Sequence, residues 1–165
     1  MPSSEVEADV PLAPWTSVRA GGAAELSVRP RSLAELPVLL RFLREEGVPL
    51  TLLGGGANTL VGDLGVPGVV LRIPGDLSPE EAEDGPDGAK RVTLGAGAAI
   101  VKIINAMKRH ERVGAEFLAG IPGTLGGAVS MNAGTKNGEC MRVVEAVELA
   151  TPDGLGWVPR SELPF

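Results

Sequence analysis

The chain has little of what several function classes need. Cys140 is its only cysteine, so no internal disulfide can form and no cysteine-rich metal centre can be built. His110 is its only histidine, and it stands among Lys108, Arg109 and Arg112 near the end of an amphipathic stretch, where a solvated cation suits a helix dipole. No dense basic cluster occurs and the net charge is −6, which argues against a general affinity for nucleic acid. No apolar run approaches the roughly 18 residues of a membrane span. The acidic start "MPSSEVEADV" has neither the positive segment nor the apolar stretch of a signal peptide, so a cytoplasmic protein with no membrane partner is expected. No repeat of fixed period is visible.

What is present is an ordinary globular balance. Apolar residues make up 44% of the 165 and charged residues 22%, enough for one sizeable domain or two small lobes sharing a core. Glycine (23) and proline (14) are abundant but scattered among apolar runs, so they mark turns and not a disordered tract.

Along the chain, residues 24–29 ("AELSVR") read as a strand. Next, Ser32 and Glu35 match a capping box, and Leu36, Leu39, Leu40 and Leu43 recur at helical spacing up to Gly47, a C-terminal cap. Pro37 argues for a regular helix that begins a turn later than the box suggests. "PLTLL" and "GVVLRI" are buried strands on either side of a glycine stretch. Residues 74–90 are polar, acidic and turn-rich, an exposed loop. Beyond them come a strand, "RVTLGAG", and a helix with Ile100, Ile103, Ile104 and Met107 on one face and Gly114 as its expected cap. A further strand, "VVEAVELA", ends in the turn "TPDG".

Two segments stand out. "LLGGGANTLV" (52–61) places three glycines between apolar runs. Successive N–H groups in such a turn can form an anion-binding nest, with Asn58 and Thr59 as side-chain donors; a tight strand-to-strand turn is the other reading. Neither standard nucleotide fingerprint fits, because Thr59 stands where a third glycine belongs and "GIPGTLGG" has no lysine. "AGIPGTLGGAVSMNAG" (119–134) is a poor helix by propensity. Its small residues would let a flat, partly apolar group lie against the backbone, or simply allow a close-packed turn.

"PLAPWTSVRAGGAAE", "LLGGGANTLV" and "AGIPGTLGGAVSMNAG" resemble, in order and spacing, the signatures of the bacterial UDP-N-acetylenolpyruvoylglucosamine reductase family. The resemblance implies an α+β fold, a two-lobed FAD-binding domain of the vanillyl-alcohol-oxidase (PCMH) type. Its first lobe would span 1–75, an exposed loop 76–90 and its second lobe 91–165. It also implies a non-covalent FAD, NADPH as co-substrate, and reduction of the enolpyruvyl ether of a UDP-sugar to UDP-N-acetylmuramate for peptidoglycan. Carried across by position, Gly54, Gly55, Gly56, Ala57, Asn58 and Thr59 would hold the pyrophosphate. Ile121, Pro122, Gly123, Thr124, Gly127, Asn132, Ala133 and Gly134 would line the flavin and its linker.

The family's F-x-Y-R-x-S motif carries its catalytic arginine, and a later substrate-binding domain supplies a serine proton donor and a glutamate. Phe165 resembles the first residue of that motif, so the arginine is expected beyond it, and no catalytic residue is expected within this chain. A fragment that holds flavin without turning over substrate, and that is a monomer, follows as the expectation. Another FAD-dependent oxidase or dehydrogenase of the same superfamily, or a non-catalytic nucleotide-binding module, are the alternatives. Arg19 suits a cofactor contact or a structural ion pair equally; Asp63, Glu116 and Glu139 read as turn and surface groups; Cys140 reads as a packing residue. Nothing supports a metal site.

Overall fold

The computed structural model describes residues 4–164. Four strands, β1 (Glu5–Pro11), β2 (Ala23–Arg29), β3 (Leu50–Leu52) and β4 (Val66–Leu71), form one sheet in the order β1-β2-β4-β3. β1 runs antiparallel to β2, whereas β2 and β3 both run parallel to β4, with Leu50 opposite Val69 and Leu52 opposite Leu71. The carboxyl ends of the three parallel strands therefore share one edge, the edge at which open α/β sheets carry ligands. The edge strand β1 is acidic and exposed along most of its length.

Helix α1 (Glu35–Glu45) connects β2 to β3. It buries Leu36 and Leu43 against Val28, Val69 and Leu71 on one face of the sheet, each such leucine contributing about 1.5–3 kcal/mol. Pro37 is its third residue, where the N–H it lacks would have had no intrahelical partner. The regular helix starts at Glu35, later than the box suggests, after a tight turn in which the Glu35 and Leu36 N–H groups donate to Ser32 O and Leu33 O. The box is altered: Glu35 accepts from the Ser32 hydroxyl (3.4 Å) and from the Arg31 N–H (3.1 Å). At the other end Gly47, at φ +64, closes a Schellman turn in which the Val48 N–H donates to Leu43 O.

The opposite face of the sheet is covered by irregular chain. Leu12, Ala24, Leu53 and Val70 are buried there with Trp15 and Val61 beside them. A loop with no helix in it carries the chain from β3 back to the start of β4.

The acidic segment after β4 is not irregular throughout: β5 (Glu81–Asp84), exposed along its length, pairs antiparallel with the half-buried β6 (Lys90–Thr93) as a hairpin. Helix α2 (Val101–Arg109) follows. Ile100 is buried, and Ile103, Ile104 and Met107 pack against the core of Phe117, Leu118, Ala128 and Cys140. The expected cap at Gly114 is wrong. Glu111, at φ +51, takes the left-handed position, with the Arg112 N–H on Met107 O at 2.9 Å and the Glu111 N–H on Lys108 O. The glycine-rich segment does contain a helix, α3 (Leu125–Ser130). Two short strands, β7 (Gly134–Thr135) and β8 (Gly138–Glu139), and the hairpin of β9 (Ala146–Thr151) and β10 (Gly154–Pro159) complete the chain. Although last in sequence, this hairpin rests on the first lobe: Ala150 packs into the α1 core and the Arg41 guanidinium donates to Pro152 O at 2.8 and 3.1 Å. No helix among the described residues is long and apolar enough to cross a membrane.

Candidate functional site

The carboxyl end of β3 delivers the chain into residues 54–59. The Leu53 N–H is still held by Leu71 O at 3.0 Å, but among the described residues no main-chain N–H of 54–59 donates to a protein acceptor. The same holds for Gly123 and Thr124, and these two lie against the loop. A Cβ built on Gly55 would stand 2.6 Å from Gly123 Cα, and one on Gly54 would stand 2.7 Å from Thr124 Oγ1. Gly56 is buried at φ +65, and a Cβ there would overlap the Trp15 carbonyl oxygen. Its own carbonyl accepts from the Ser17 N–H at 3.1 Å. Gly55 and Gly56 thus bring backbone against backbone while Gly54 seats the Thr124 hydroxyl, and a run of uncommitted N–H dipoles remains where they meet.

The second segment is held in place by main chain. Ile100 N–H donates to Gly123 O at 3.2 Å, Leu125 N–H to Ala98 O and Gly126 N–H to Ala96 O, both at 2.8 Å. Thr124 then caps α3, its hydroxyl accepting from the Gly127 N–H at 3.4 Å. At the far end Asn132, at φ +43, takes the left-handed position that follows the helix, and the Ala133 N–H donates to Ala128 O at 2.7 Å. The Asn132 Oδ1 accepts from the Met141 N–H at 3.0 Å.

Residues 54–57 and 123–124 are therefore brought together. Gly127 sits one turn behind, inside α3, and Asn58 is exposed. Ile121 packs on the second core and Pro122 is exposed. Asn132, Ala133 and Gly134 are committed to the second lobe: Ala133 O accepts from the Cys140 N–H and Gly134 pairs with Glu139. Sequence reasoning missed an apolar cleft of about 270 Å³ that ends at Ile121, walled by Ile100, Val101, Ile104, Leu118 and Gly120–Ile121. Its signal was the exposed Val101 on an otherwise amphipathic helix. Trp15 and Arg72 were missed as well: the Arg72 guanidinium lies 4.1 Å from the Trp15 ring centroid.

The remaining candidates fall away from this centre. Cys140 is buried, and burial pushes its thiol above the usual range. His110 caps α2 through its N–H on Ala106 O. Asp63, Glu116 and Glu139 are exposed, the Glu116 carboxylate accepting from the Gly114 N–H at 2.9 Å. Arg19 forms no ion pair among the described residues, and no group of three histidine, cysteine or acidic residues there could hold a metal.

Two lobes meeting at bare backbone, with free amides at the carboxyl edge of a parallel sheet, define a nucleotide-binding α+β domain. Residues 24–156 match the family model described as FAD binding domain, and the chain belongs to that family. Its fold is the two-lobed FAD-binding domain of the PCMH type. The chain is 68% identical over 161 residues to the UDP-N-acetylenolpyruvoylglucosamine reductase of Myxococcus xanthus, covering 98% of this chain and 52% of the relative. It is 58% identical to the reductase of that name from Anaeromyxobacter sp., covering 98% of this chain and 49% of the relative. The crystal structure of the reductase of Thermus caldophilus superposes with a TM-score of 0.77 at 32% identity, over 99% of this chain and 55% of that one. A solvent-stable cholesterol oxidase shares the fold, with a TM-score of 0.66 at 18% identity, over 97% of this chain and 34% of that one. The chain spans about half the length of the curated relatives it matches.

Proposed function

We propose that this chain is the FAD-binding portion of a cytoplasmic, monomeric reductase that uses NADPH to reduce UDP-N-acetylglucosamine enolpyruvate to UDP-N-acetylmuramate in peptidoglycan biosynthesis. The observation that carries this reading is the run of uncommitted amides over 54–59, closed against Gly123 and Thr124. Backbone N–H groups on glycine accept a bulky diphosphate without meeting side chains, and their dipoles favour its charge. The residues present fit FAD on that account.

Residues 54–59 would hold the diphosphate. Ile121, Pro122, Gly123, Thr124 and Gly127 would line the linker and ring, with the apolar cleft that ends at Ile121 as a wall for a flat ring. Asn132, Ala133 and Gly134 would serve that lining from behind, through the backbone that Asn132 fixes. The lobes would be 1–75 and 91–165, joined through 76–90. When bound, FAD supplies hydride transfer between NADPH and substrate. This chain's own residues bind and orient it, and neither glycine segment has a histidine to attach it covalently. The catalytic arginine and the proton donor would belong to the half of the relatives that this chain does not match.

The test is the absorbance spectrum of the chain after gel filtration with FAD, followed by acid precipitation. Flavin that co-elutes with the protein and leaves in the acid supernatant is the expected result. Protein that elutes colourless with a cooperative melt contradicts it. Addition of NADPH and the UDP-sugar substrate to this chain alone is expected to give no turnover.

A further inference from the structure

The glycine loop offers dipoles to a diphosphate but contains no cation, and the chain as a whole carries −6. A countercharge is found at the same sheet edge. Arg72 directly follows β4, its N–H donating to Val28 O at 3.0 Å, while Leu71 O accepts from Leu53, the residue that precedes Gly54. The pairing thus sets Arg72 beside the root of the glycine loop. A second contact leads to the same place: the guanidinium is stacked on Trp15, whose carbonyl oxygen sits where a Cβ of Gly56 would go.

Arg72 is also unlike its neighbours. Arg29 and Arg31 share the Glu5 carboxylate at 3.6 Å, and Arg91 is held by Glu83 and Glu145. Arg72 is half-buried, and among the described residues no carboxylate pairs with it. Burial and the nearby Arg29 charge hold its pKa below the usual arginine value, the direction expected of a partly desolvated cation without an anion. A guanidinium remains protonated there regardless, and its planar fork matches phosphate oxygens.

We propose that Arg72, stacked on Trp15 at the root of the glycine loop, is the cation of the site and pairs with the diphosphate of the bound dinucleotide. The proposal rests on the reading of residues 54–59 as the diphosphate cradle. Trp15 holds the guanidinium in place and is a positioning residue.

The test compares FAD with riboflavin, which has the same ring and no phosphate, on the parent chain and on Arg72→Gln. Loss of one charge-assisted contact lowers FAD affinity about ten- to a hundredfold, leaves riboflavin affinity unchanged, and weakens the dependence of FAD binding on salt. Equal loss for both ligands would mean that Arg72 acts only through folding, and unchanged FAD affinity would mean no contact; either result overturns the proposal. Should Arg72→Gln not fold, Arg72→Lys keeps the charge over Trp15. It loses the fork, so FAD affinity falls several-fold and riboflavin affinity does not, and equal FAD affinity to the parent overturns the proposal. A folded parent chain that binds neither FAD nor riboflavin overturns the reading of the cradle, and this proposal with it.

Discussion

The two glycine-rich segments use the same residue for opposite ends. Over 54–59 the backbone is irregular, its N–H groups have no protein acceptors among the described residues, and its glycines face the Thr124 hydroxyl and the main chain of Gly123 and Trp15. Over 120–134 most of the N–H groups are spent at home. They cap and form α3, bind Ala96 and Ala98, and close the left-handed turn at Asn132. Glycine composition alone cannot separate a binding surface from a scaffold. The hydrogen-bond partners of each amide can, because an uncommitted donor at a sheet edge is available to a ligand and a paired one is not.

Substitutions can break that contrast, and the largest effect is expected at Gly56. Gly56→Ala meets both a left-handed φ and the Trp15 carbonyl, so the folded state should lose about 2–5 kcal/mol, read from denaturant melts. In the second segment Asn132→Ala removes the side chain that serves the buried Met141 N–H and a residue that tolerates φ +43. A loss of about 2–4 kcal/mol is expected, with Asn132→Gly recovering the backbone part only. Gly55→Ala acts on the junction itself: a methyl 2.6 Å from Gly123 Cα must push the segments apart. FAD affinity should fall at least about tenfold, with about 1–3 kcal/mol lost in stability. If the two segments bound ligand independently, FAD affinity would be spared.

The smallest effect is a baseline remote from both. The Ser4 hydroxyl and the Arg31 N–H hold the Glu35 carboxyl below the usual glutamate range. With its folded pKa depressed, Glu35 stabilises the fold above the ordinary glutamate pKa, and the contribution fades as pH falls through the folded value. Glu35→Gln should lower the melting temperature slightly near neutral pH and flatten its fall in acid, leaving FAD affinity as it was.

Much of this was legible in the sequence where side chains carry a period. β2, α1, β4 and α2 show it, and Ile100, Ile103, Ile104 and Met107 pack on one core as their spacing predicts. Elements that lean on partners were not legible. β1 alternates, with Val6, Ala8 and Val10 between acids, but it is acidic and almost wholly exposed, so the pattern marks no buried face; β5 is a short acidic run with a single alanine. α3 forms in a segment of low helix propensity because Thr124 and the 96–98 chain satisfy its first turn and Asn132 its last. The end of α2 went to Glu111 and not to Gly114, since the loss of helical partners and not the nearest glycine decides where a helix stops. At the site the glycines were visible but Arg72 was not, because only the β3–β4 register brings it beside Leu53.

Amide hydrogen exchange of the chain with and without FAD tests most directly which segment carries the diphosphate. Without ligand the 54–59 amides should exchange quickly, whereas Ala128, Met131, Asn132 and Ala133, which donate within and around α3, should already be protected. The account predicts that FAD slows exchange over 54–59 and changes α3 far less. Exchange over 54–59 that stays fast while FAD is bound would contradict it.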